Sequence, residues 1–474
     1  MVFNSFQFFL FFIIVFSLYR ILNHQLQNRL LLFASYLFYA SWNWWFLILL
    51  WLNTIVSYFC ALLIHQQVDL RKRKLFLTIG LSLHLGILGY FKVFNFLIDG
   101  LEDLVALIGW QLDKFTIKLS LPVGLSFYTF QSIGYLLDVY RRDQEPSKNF
   151  LDFALFIGFF PQLLAGPIMR AKMLLSQIFQ TRKITGQHMR EGIWLIYWGL
   201  FTKVFVADNL AKIVDSVFLK TGVLSGGEAL MGIYAFAFQI YGDFAGYSTI
   251  AMGLAKLLGI DLVNNFRFPY FVTNPREFWQ NWHISLSTWA RDYLYIPLGG
   301  NRGTILSTYR NIFLTMLLMG LWHGVGFTFV LWGMYHAAIL IIYRMAEPLL
   351  QRAHFNWRPT DVILDVLRVI LMFQFTCLGW LIFRAQSVQQ VTDFLGNIFF
   401  NAGSPSWIVG YYALQIAFYT IPLLIVQILQ KKRNDMLAVL QLPPIPRWAV
   451  FILMFYLMTM WGEFGGKEFY YFNF

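Results

Sequence analysis

The residue best suited to chemistry is His323, an ionisable side chain inside a long apolar stretch. It lies in the run LLMGLWHGVGF at 317–327, whose three glycines allow another backbone or a ligand to come close. A buried neutral imidazole can take a proton from a hydroxyl group near neutral pH, as a general base in acyl transfer does. The alternative is a histidine that only forms hydrogen bonds between helices, and the residues alone leave both open.

Three further side chains accompany it. His283 lies in an aromatic-rich segment and is expected to be screened from bulk water. His336 follows His323 by thirteen positions and would not share its face in one straight helix, so packing or support of the site is expected rather than direct chemistry. Asp243 interrupts an apolar run; it could orient a histidine, bind the polar part of a cofactor or pair with Lys203 or an arginine, and a structural role is favoured.

Metal and covalent chemistry lack a sequence signal. Cys60 and Cys377 lie in apolar runs, where a thiol packs as a small hydrophobic group, and no Cys/His spacing indicates a metal site. No serine or cysteine lies in a recognisable nucleophile–base arrangement, so no covalent intermediate is expected on the core of the protein.

Composition predicts that membrane helices position these residues. Hydrophobic residues make up 58% of the 474 residues, compared with roughly 45–50% in soluble domains. Charged residues make up 13%. Several apolar runs approach or exceed the about 20 residues that cross a bilayer, among them 6–22, 75–98, 230–258 and 366–383. Because lipid cannot satisfy a bare backbone, these runs should be helices.

The net charge of +12 indicates membrane topology rather than a nucleic-acid partner. Basic residues concentrate in the cytoplasmic loops of membrane proteins, which places the clusters at 71–74, 141–142 and 431–433 inside the cell. The last apolar run would then carry the tail 463–474 outward, to the periplasm or cell exterior.

The centre of the chain, Asp261–Thr308, is too polar to span and too aromatic to be a plain loop, so it should lie in the interface or re-enter the membrane. Asn274, Pro275 and Glu277 have the pattern of a helix start. From there to Tyr293 the spacing predicts one amphipathic helix, with His283 near its aromatic side. The glycines of 296–303 should end it.

These residues resemble the MBOAT acyltransferases, in particular the branch that O-acetylates alginate and related bacterial envelope polysaccharides. The matching pieces appear in family order from about 121 to 384, and they read LPVGLSF, YLLDVY, FPQLLAGP, YGDFAGYS, EFWQNWHISLS, RDYLYIPLGG, GLWHG and GWLIFR. Each piece is weak alone, whereas the ordered set is specific.

The resemblance implies an all-α polytopic fold. Its expected form is one transmembrane domain over 1–474, with roughly 11 transmembrane helices and further re-entrant or interfacial helices around a central funnel and tunnel. His323 matches the family's essential histidine and His283 its second candidate catalytic residue. His323 would deprotonate an acceptor hydroxyl that attacks a thioester, with acetyl-CoA as the expected donor and no metal. His283 would polarise the carbonyl or position the acceptor.

The resemblance also implies partners and a place. These are the lipid bilayer of the bacterial inner membrane, a cytoplasmic thioester donor, a periplasmic esterase-like (SGNH-type) transferase and a polysaccharide acceptor. The aromatic tail suggests that Tyr471 carries the acetyl group as an aryl ester; the alternative is a tail that only anchors at the interface. Peptidoglycan O-acetylation and D-alanylation of teichoic acid are neighbouring activities. A transporter and a scaffold are rivals from other classes, although the motif block occurs once, without the inverted repeats common in transporters.

Overall fold

The computed structural model describes residues 1–107, 122–352, 358–401 and 406–464, and within them the chain is almost entirely α-helical, with no β-strand. Seven of the described helices are long and apolar enough to cross a membrane: Phe46–Gln66, Leu70–Phe94, Ile305–His323, Phe327–Leu349, Ile363–Arg384, Trp407–Arg433 and Pro444–Trp461. The predicted all-α polytopic membrane protein is thereby confirmed. The number of eleven spans stays a prediction.

Two of the four predicted spans differ from these seven. The run at 6–22 forms a shorter apolar helix, Phe6–Ile21. The run at 230–258 lies in the helix Gly226–Leu257, which is largely buried and is not among the seven. Both are helical as predicted, and their crossing of the membrane stays a prediction.

By its internal contacts the chain divides into two compact units, and each is described by itself. Unit 1 includes Met1–Ile193 and Ala251–Val263. Its helices are α1 (Phe6–Ile21), α2 (His24–Ala40), α3 (Phe46–Gln66), α4 (Leu70–Leu107), α5 (Leu125–Arg141), α6 (Phe150–Gly158), α7 (Phe160–Leu163) and α8 (Ala171–Phe179). The expectation of a single domain stays a prediction.

A polar cluster joins three helices of unit 1. The imidazole of His84 in α4 lies 3.0 Å from Asn53 Nδ2 and 2.9 Å from Ser57 Oγ, both in α3, and Ser132 of α5 donates to Asn53 Oδ1. The Ser57 hydroxyl donates to the Asn53 carbonyl oxygen and therefore accepts from His84. This histidine joins helices rather than activating a serine.

Unit 2 includes Trp194–Ile250 and the described residues from Asn264 onward. α9 (Gly186–Leu200) and α11 (Gly226–Leu257) have residues in both units. The helices of unit 2 are α10 (Asp208–Phe218), α12 (Pro275–Asn281), α13 (Ile284–Ala290), α14 (Ile305–His323), α15 (Phe327–Arg352), α16 (Arg358–Arg384), α17 (Val388–Phe400), α18 (Trp407–Arg433) and α19 (Pro444–Trp461). Two π-helical segments, Phe201–Ala207 and Arg291–Tyr295, adjoin α10 and α13. All candidate site residues that the structure describes lie in unit 2.

Candidate active site

The α14–α15 hairpin positions His323, which is the last residue of α14. A Cβ atom on Gly320 would lie 2.3 Å from the carbonyl oxygen of Phe329, and one on Gly333 would lie 2.6 Å from that of Met316. Only glycine therefore allows the two backbones to come so close. The predicted close approach at Gly320 is confirmed.

Aromatic rings surround the His323 imidazole, which is 5% exposed. Its ring centroid lies 4.4 Å from that of Trp322, 5.0 Å from that of Trp332 and 5.0 Å from that of Phe383. These three rings come from α14, α15 and α16. The histidine therefore lies in a pocket that largely excludes bulk water. Little water can compete there for a proton that the imidazole accepts or donates.

The hairpin brings His336 to the same pocket wall. The Trp332 indole that contacts His323 also contacts His336, with ring centroids 4.6 Å apart. On its other sides His336 meets Trp279 at 5.0 Å and stacks parallel to Phe278 at 6.2 Å. Although one straight helix would separate the two histidines, the turn between α14 and α15 places both against one indole.

The structure corrects the predicted single helix between Asn274 and Tyr293. The start is as predicted, since Asn274 caps α12 by accepting from the Glu277 backbone N–H. However, α12 ends at Asn281, and His283 has a φ of 43°, in the left-handed region that helices exclude. The chain then resumes as α13 and the π-helical segment Arg291–Tyr295.

Asn265 causes this break, because it offers an alternative to the helical hydrogen bonds. Its carbonyl oxygen accepts from the Ile284 N–H, and its Oδ1 accepts from both the N–H and the hydroxyl of Ser285. A loop residue thus caps α13 from outside the helix. Sequence reasoning missed Asn265, since nothing in a periodicity indicates which distant loop will cap a helix.

The same amide defines the state of His283, which is buried, with His283 Nδ1 3.1 Å from Asn265 Oδ1. An amide oxygen can only accept, so Nδ1 carries the proton and Nε2 the lone pair. Burial lowers the pKa of His283 to about 3, so the ring is neutral at physiological pH.

His283 and His323 lie against different rings, joined by a continuous aromatic series. His283 meets Phe244 at 4.6 Å and Phe266 at 6.4 Å. From Phe266 the ring contacts continue through Trp282, Trp380 and Phe383 to His323. The broken segment around His283 therefore packs into the core that carries His323.

Of the roles considered for Asp243, the structure shows the ion pair with Lys203. Its carboxylate lies 2.6 Å from Lys203 Nζ, and Asp208 lies 2.7 Å from the same ammonium group, with all three side chains buried. Lys203 belongs to the π-helical segment Phe201–Ala207. In the same segment, the carbonyl oxygen of Val204 accepts a hydrogen bond from the backbone N–H of Glu463. Sequence reasoning named Lys203 as a possible partner and missed Asp208. The supporting role predicted for Asp243 stays a proposal.

A groove of about 480 Å³ opens between α12, α15 and α16. Its lining is mostly apolar and comprises Thr273, Asn274, Pro275, Ile339, Ile342, Tyr343, Ala346, Glu347, Arg368, Leu371, Met372 and Phe375. Within the described part of the chain, no three His, Cys, Asp or Glu side chains are grouped to hold a metal ion. Tyr471 lies outside the described residues.

Comparison with known proteins identifies the family. Residues 144–383 match MBOAT, the membrane-bound O-acyltransferase family. The "Probable alginate O-acetylase AlgI" of Pseudomonas aeruginosa is 43% identical over 82% of this chain and 73% of its own length. The peptidoglycan O-acetyltransferase of Helicobacter pylori is 35% identical over 80% of this chain and 75% of its own length. The teichoic acid D-alanyltransferase of Bacillus subtilis is 28% identical over 56% of this chain and 69% of its own length.

The match covers the segments from which the site is built. It includes Asp243, His283, His323 and His336, together with the aromatic series that joins the two candidate catalytic histidines. The apolar helices agree with a multi-pass membrane protein. The chain is a member of the membrane-bound O-acyltransferase family and an O-acyltransferase.

Proposed function

We propose that this chain moves an acetyl group from acetyl-CoA on the cytoplasmic side of the inner membrane for O-acetylation of an extracytoplasmic polysaccharide such as alginate. The observation that carries the proposal is His323, buried among three aromatic rings where two apolar helices meet. The chain is similar to proteins named as probable alginate O-acetylases. These names support acetyl as the transferred group and a polysaccharide as its acceptor.

In this mechanism His323 is the general base. It takes the proton of the acceptor hydroxyl as that oxygen attacks the acetyl carbonyl, so that a C–O bond forms. The C–S bond of the thioester then breaks, and the departing thiolate receives the proton from the imidazolium. The dry aromatic pocket favours this sequence, because water would compete both as an acceptor and as a proton carrier.

His283 would hold the acceptor hydroxyl rather than polarise the carbonyl. With its proton on Nδ1, the neutral ring presents a lone pair at Nε2, which accepts a hydrogen bond and cannot donate one. Of the two roles predicted from the sequence, the tautomer favours positioning of the acceptor. Asp243, through its pair with Lys203, and His336, through Trp332, would support the site without touching the reacting atoms.

Transfer to the polysaccharide would use Tyr471 and a periplasmic SGNH-type, esterase-like partner. Tyr471 would be the acceptor in the first step and carry the acetyl group as an aryl ester to that partner. In cells, Tyr471→Phe is expected to abolish polysaccharide acetylation while leaving the protein folded in the membrane. Unchanged acetylation in this variant would end the relay and leave direct transfer.

Acetylation of peptidoglycan is the second candidate, because the relative of that name is 35% identical over most of both chains. Chemical analysis of O-acetyl groups in alginate-type polymer and in peptidoglycan, with and without this gene, would distinguish the two. D-alanylation would require an aminoacyl donor, and a transporter would move its substrate without acyl turnover.

The primary test is acyl turnover from labelled acetyl-CoA by the purified protein in lipid nanodiscs. Wild-type turnover that vanishes in a folded His323→Ala variant would support the mechanism. Equal turnover in both would refute the role of His323. His84→Ala is the matched control, since this buried histidine belongs to the helix-joining cluster of unit 1.

A further inference from the structure

Four buried nitrogens on three aromatic rings form a polar cluster close to the groove between α12, α15 and α16. Trp279, Trp332 and His336 lie in mutual contact, with ring centroids 5.7 Å, 5.0 Å and 4.6 Å apart. Within the described part of the chain, neither indole N–H nor either His336 nitrogen has a hydrogen-bond partner. Buried polar groups are normally paired, so such a cluster indicates a site that a polar ligand completes.

Helix geometry places this cluster one turn beyond residues that line the groove. Residues three or four positions apart lie on one face of a helix, one turn apart. Pro275 and Ile339 line the groove, and one turn deeper α12 carries Trp279 and α15 carries His336. The groove therefore leads to the ring cluster along two of its walls.

The third wall repeats this relationship. Phe375 of α16 lines the groove, and four positions on is Gly379, where a Cβ atom would lie 2.9 Å from His336 Nε2. The missing side chain at 379 is what leaves room for the imidazole. Beyond the cluster, Trp332 separates His336 from His323.

Part of the groove lining lies close to a segment that is predicted to face the cytoplasm, the side from which the thioester donor is expected. Lys431, in a basic cluster predicted to be cytoplasmic, donates to the carbonyl of Phe271, two residues before Thr273 in the lining. From Glu347 in the groove lining to His336 in the ring cluster, α15 rises about 16 Å. A ligand must therefore be long and narrow to reach from the groove towards His323.

We propose that Trp279, Trp332 and His336 bind an amide group in the flexible arm of the thioester donor as it passes down this groove to His323. The three rings together offer three N–H donors and, at the unprotonated nitrogen of neutral His336, one acceptor. An amide complements that set, since its oxygen accepts and its N–H donates, whereas an alkyl chain matches none of it. This inference rests on the proposed function, and it makes His336 a donor-binding residue.

The first test measures donor binding without turnover. CoA binding by the full-length protein in nanodiscs is compared for wild type, His336→Phe and Trp279→Phe, each of which keeps an aromatic ring and loses the ring nitrogens. Each variant is expected to weaken CoA binding by about fivefold, the effect of one lost hydrogen bond. CoA affinity unchanged in both folded variants would overturn the proposal. His323→Ala should bind CoA like wild type while losing turnover, which separates this proposal from the catalytic one.

The second test asks which group is recognised. Turnover is measured with S-acetyl-N-acetylcysteamine, which has one amide, and with S-acetyl-pentanethiol, which has none. Wild type should prefer the amide donor in kcat/KM, and His336→Phe should lose most of that preference, chiefly through KM. An equal fall of kcat for both donors, with the preference intact, would show that His336 is merely structural and would refute amide recognition.

Discussion

The indole of Trp332 meets the imidazole of His323 edge-on, with ring centroids 5.0 Å apart and ring planes at 80°. Because Trp332 is only 1% exposed and also contacts His336, its position determines where both histidines lie. An edge-on contact between rings is favourable and directional, so this indole orients the imidazole as well as shielding it.

Trp332→Ala should remove that orientation. We expect kcat to fall at least about tenfold, because a small displacement of the base lowers the rate steeply. The free energy of unfolding should fall by about 3–5 kcal/mol, as for other buried tryptophans. Acyl turnover and thermal unfolding in nanodiscs measure the two effects. Trp332→Phe, which keeps an aromatic wall, should retain kcat within about threefold; an equally large loss of kcat would contradict the packing argument.

Asn265→Ala should release His283. The substitution removes the oxygen that holds His283 Nδ1 and caps α13, so we expect kcat to fall about 10- to 100-fold, as when the residues that orient a site are lost. Asn265→Asp keeps an acceptor oxygen at that place and should retain more activity. Wild-type kcat in Asn265→Ala would show that the tautomer of His283 does not matter.

The pH profile of kcat/KM should show no ionisation of His283 near the ordinary pKa of histidine, about 6.5. Burial lowers the pKa of this group to about 3, so it remains neutral from pH 5 to 8 and should not shape kcat/KM there. The same pKa shift makes the free energy of unfolding depend on pH. The unfolded state binds the proton more readily, so the contribution of His283 to stability declines as pH falls below about 6.5. Unfolding of wild type and His283→Gln at pH 7 and pH 5 tests this. The wild type should lose more stability.

Gly320→Ala should force α14 and α15 apart. The new methyl group would lie 2.3 Å from the Phe329 carbonyl oxygen, and overpacking of this kind costs about 1–3 kcal/mol. Gly326→Ala is the matched control, since its Cβ atom would meet nothing closer than 3.8 Å. Thermal unfolding should therefore show a loss for residue 320 and little change for 326. Equal melting temperatures would refute the close packing of this hairpin.

Lys203→Met should destabilise the protein more than it impairs chemistry. Without the ammonium group, the buried carboxylates of Asp243 and Asp208 lose the cation that both contact, and breaking a buried ion pair costs about 3–5 kcal/mol. Adding Asp243→Asn should recover part of the loss. If Lys203→Met unfolds like wild type but loses turnover, the cluster acts in catalysis rather than in structure.

The sequence by itself determined the kind of protein. Apolar runs near the length of a bilayer predict membrane helices, because lipid leaves the backbone no other way to satisfy its hydrogen bonds. The cap at Asn274 and the close approach at Gly320 were also predictable, since each depends on residues within one helical turn or on the absence of a side chain. The ordered motifs indicated the family.

Only the tertiary structure decided how the site is assembled. The break at His283 depends on Asn265, eighteen residues earlier, and the shared indole of Trp332 depends on how α14 turns into α15. Helical periodicity describes one element at a time, so it predicted a single helix across His283. Capping from a distant loop, ion pairing across helices and ring contacts between helices are long-range interactions, and these placed the candidate catalytic residues.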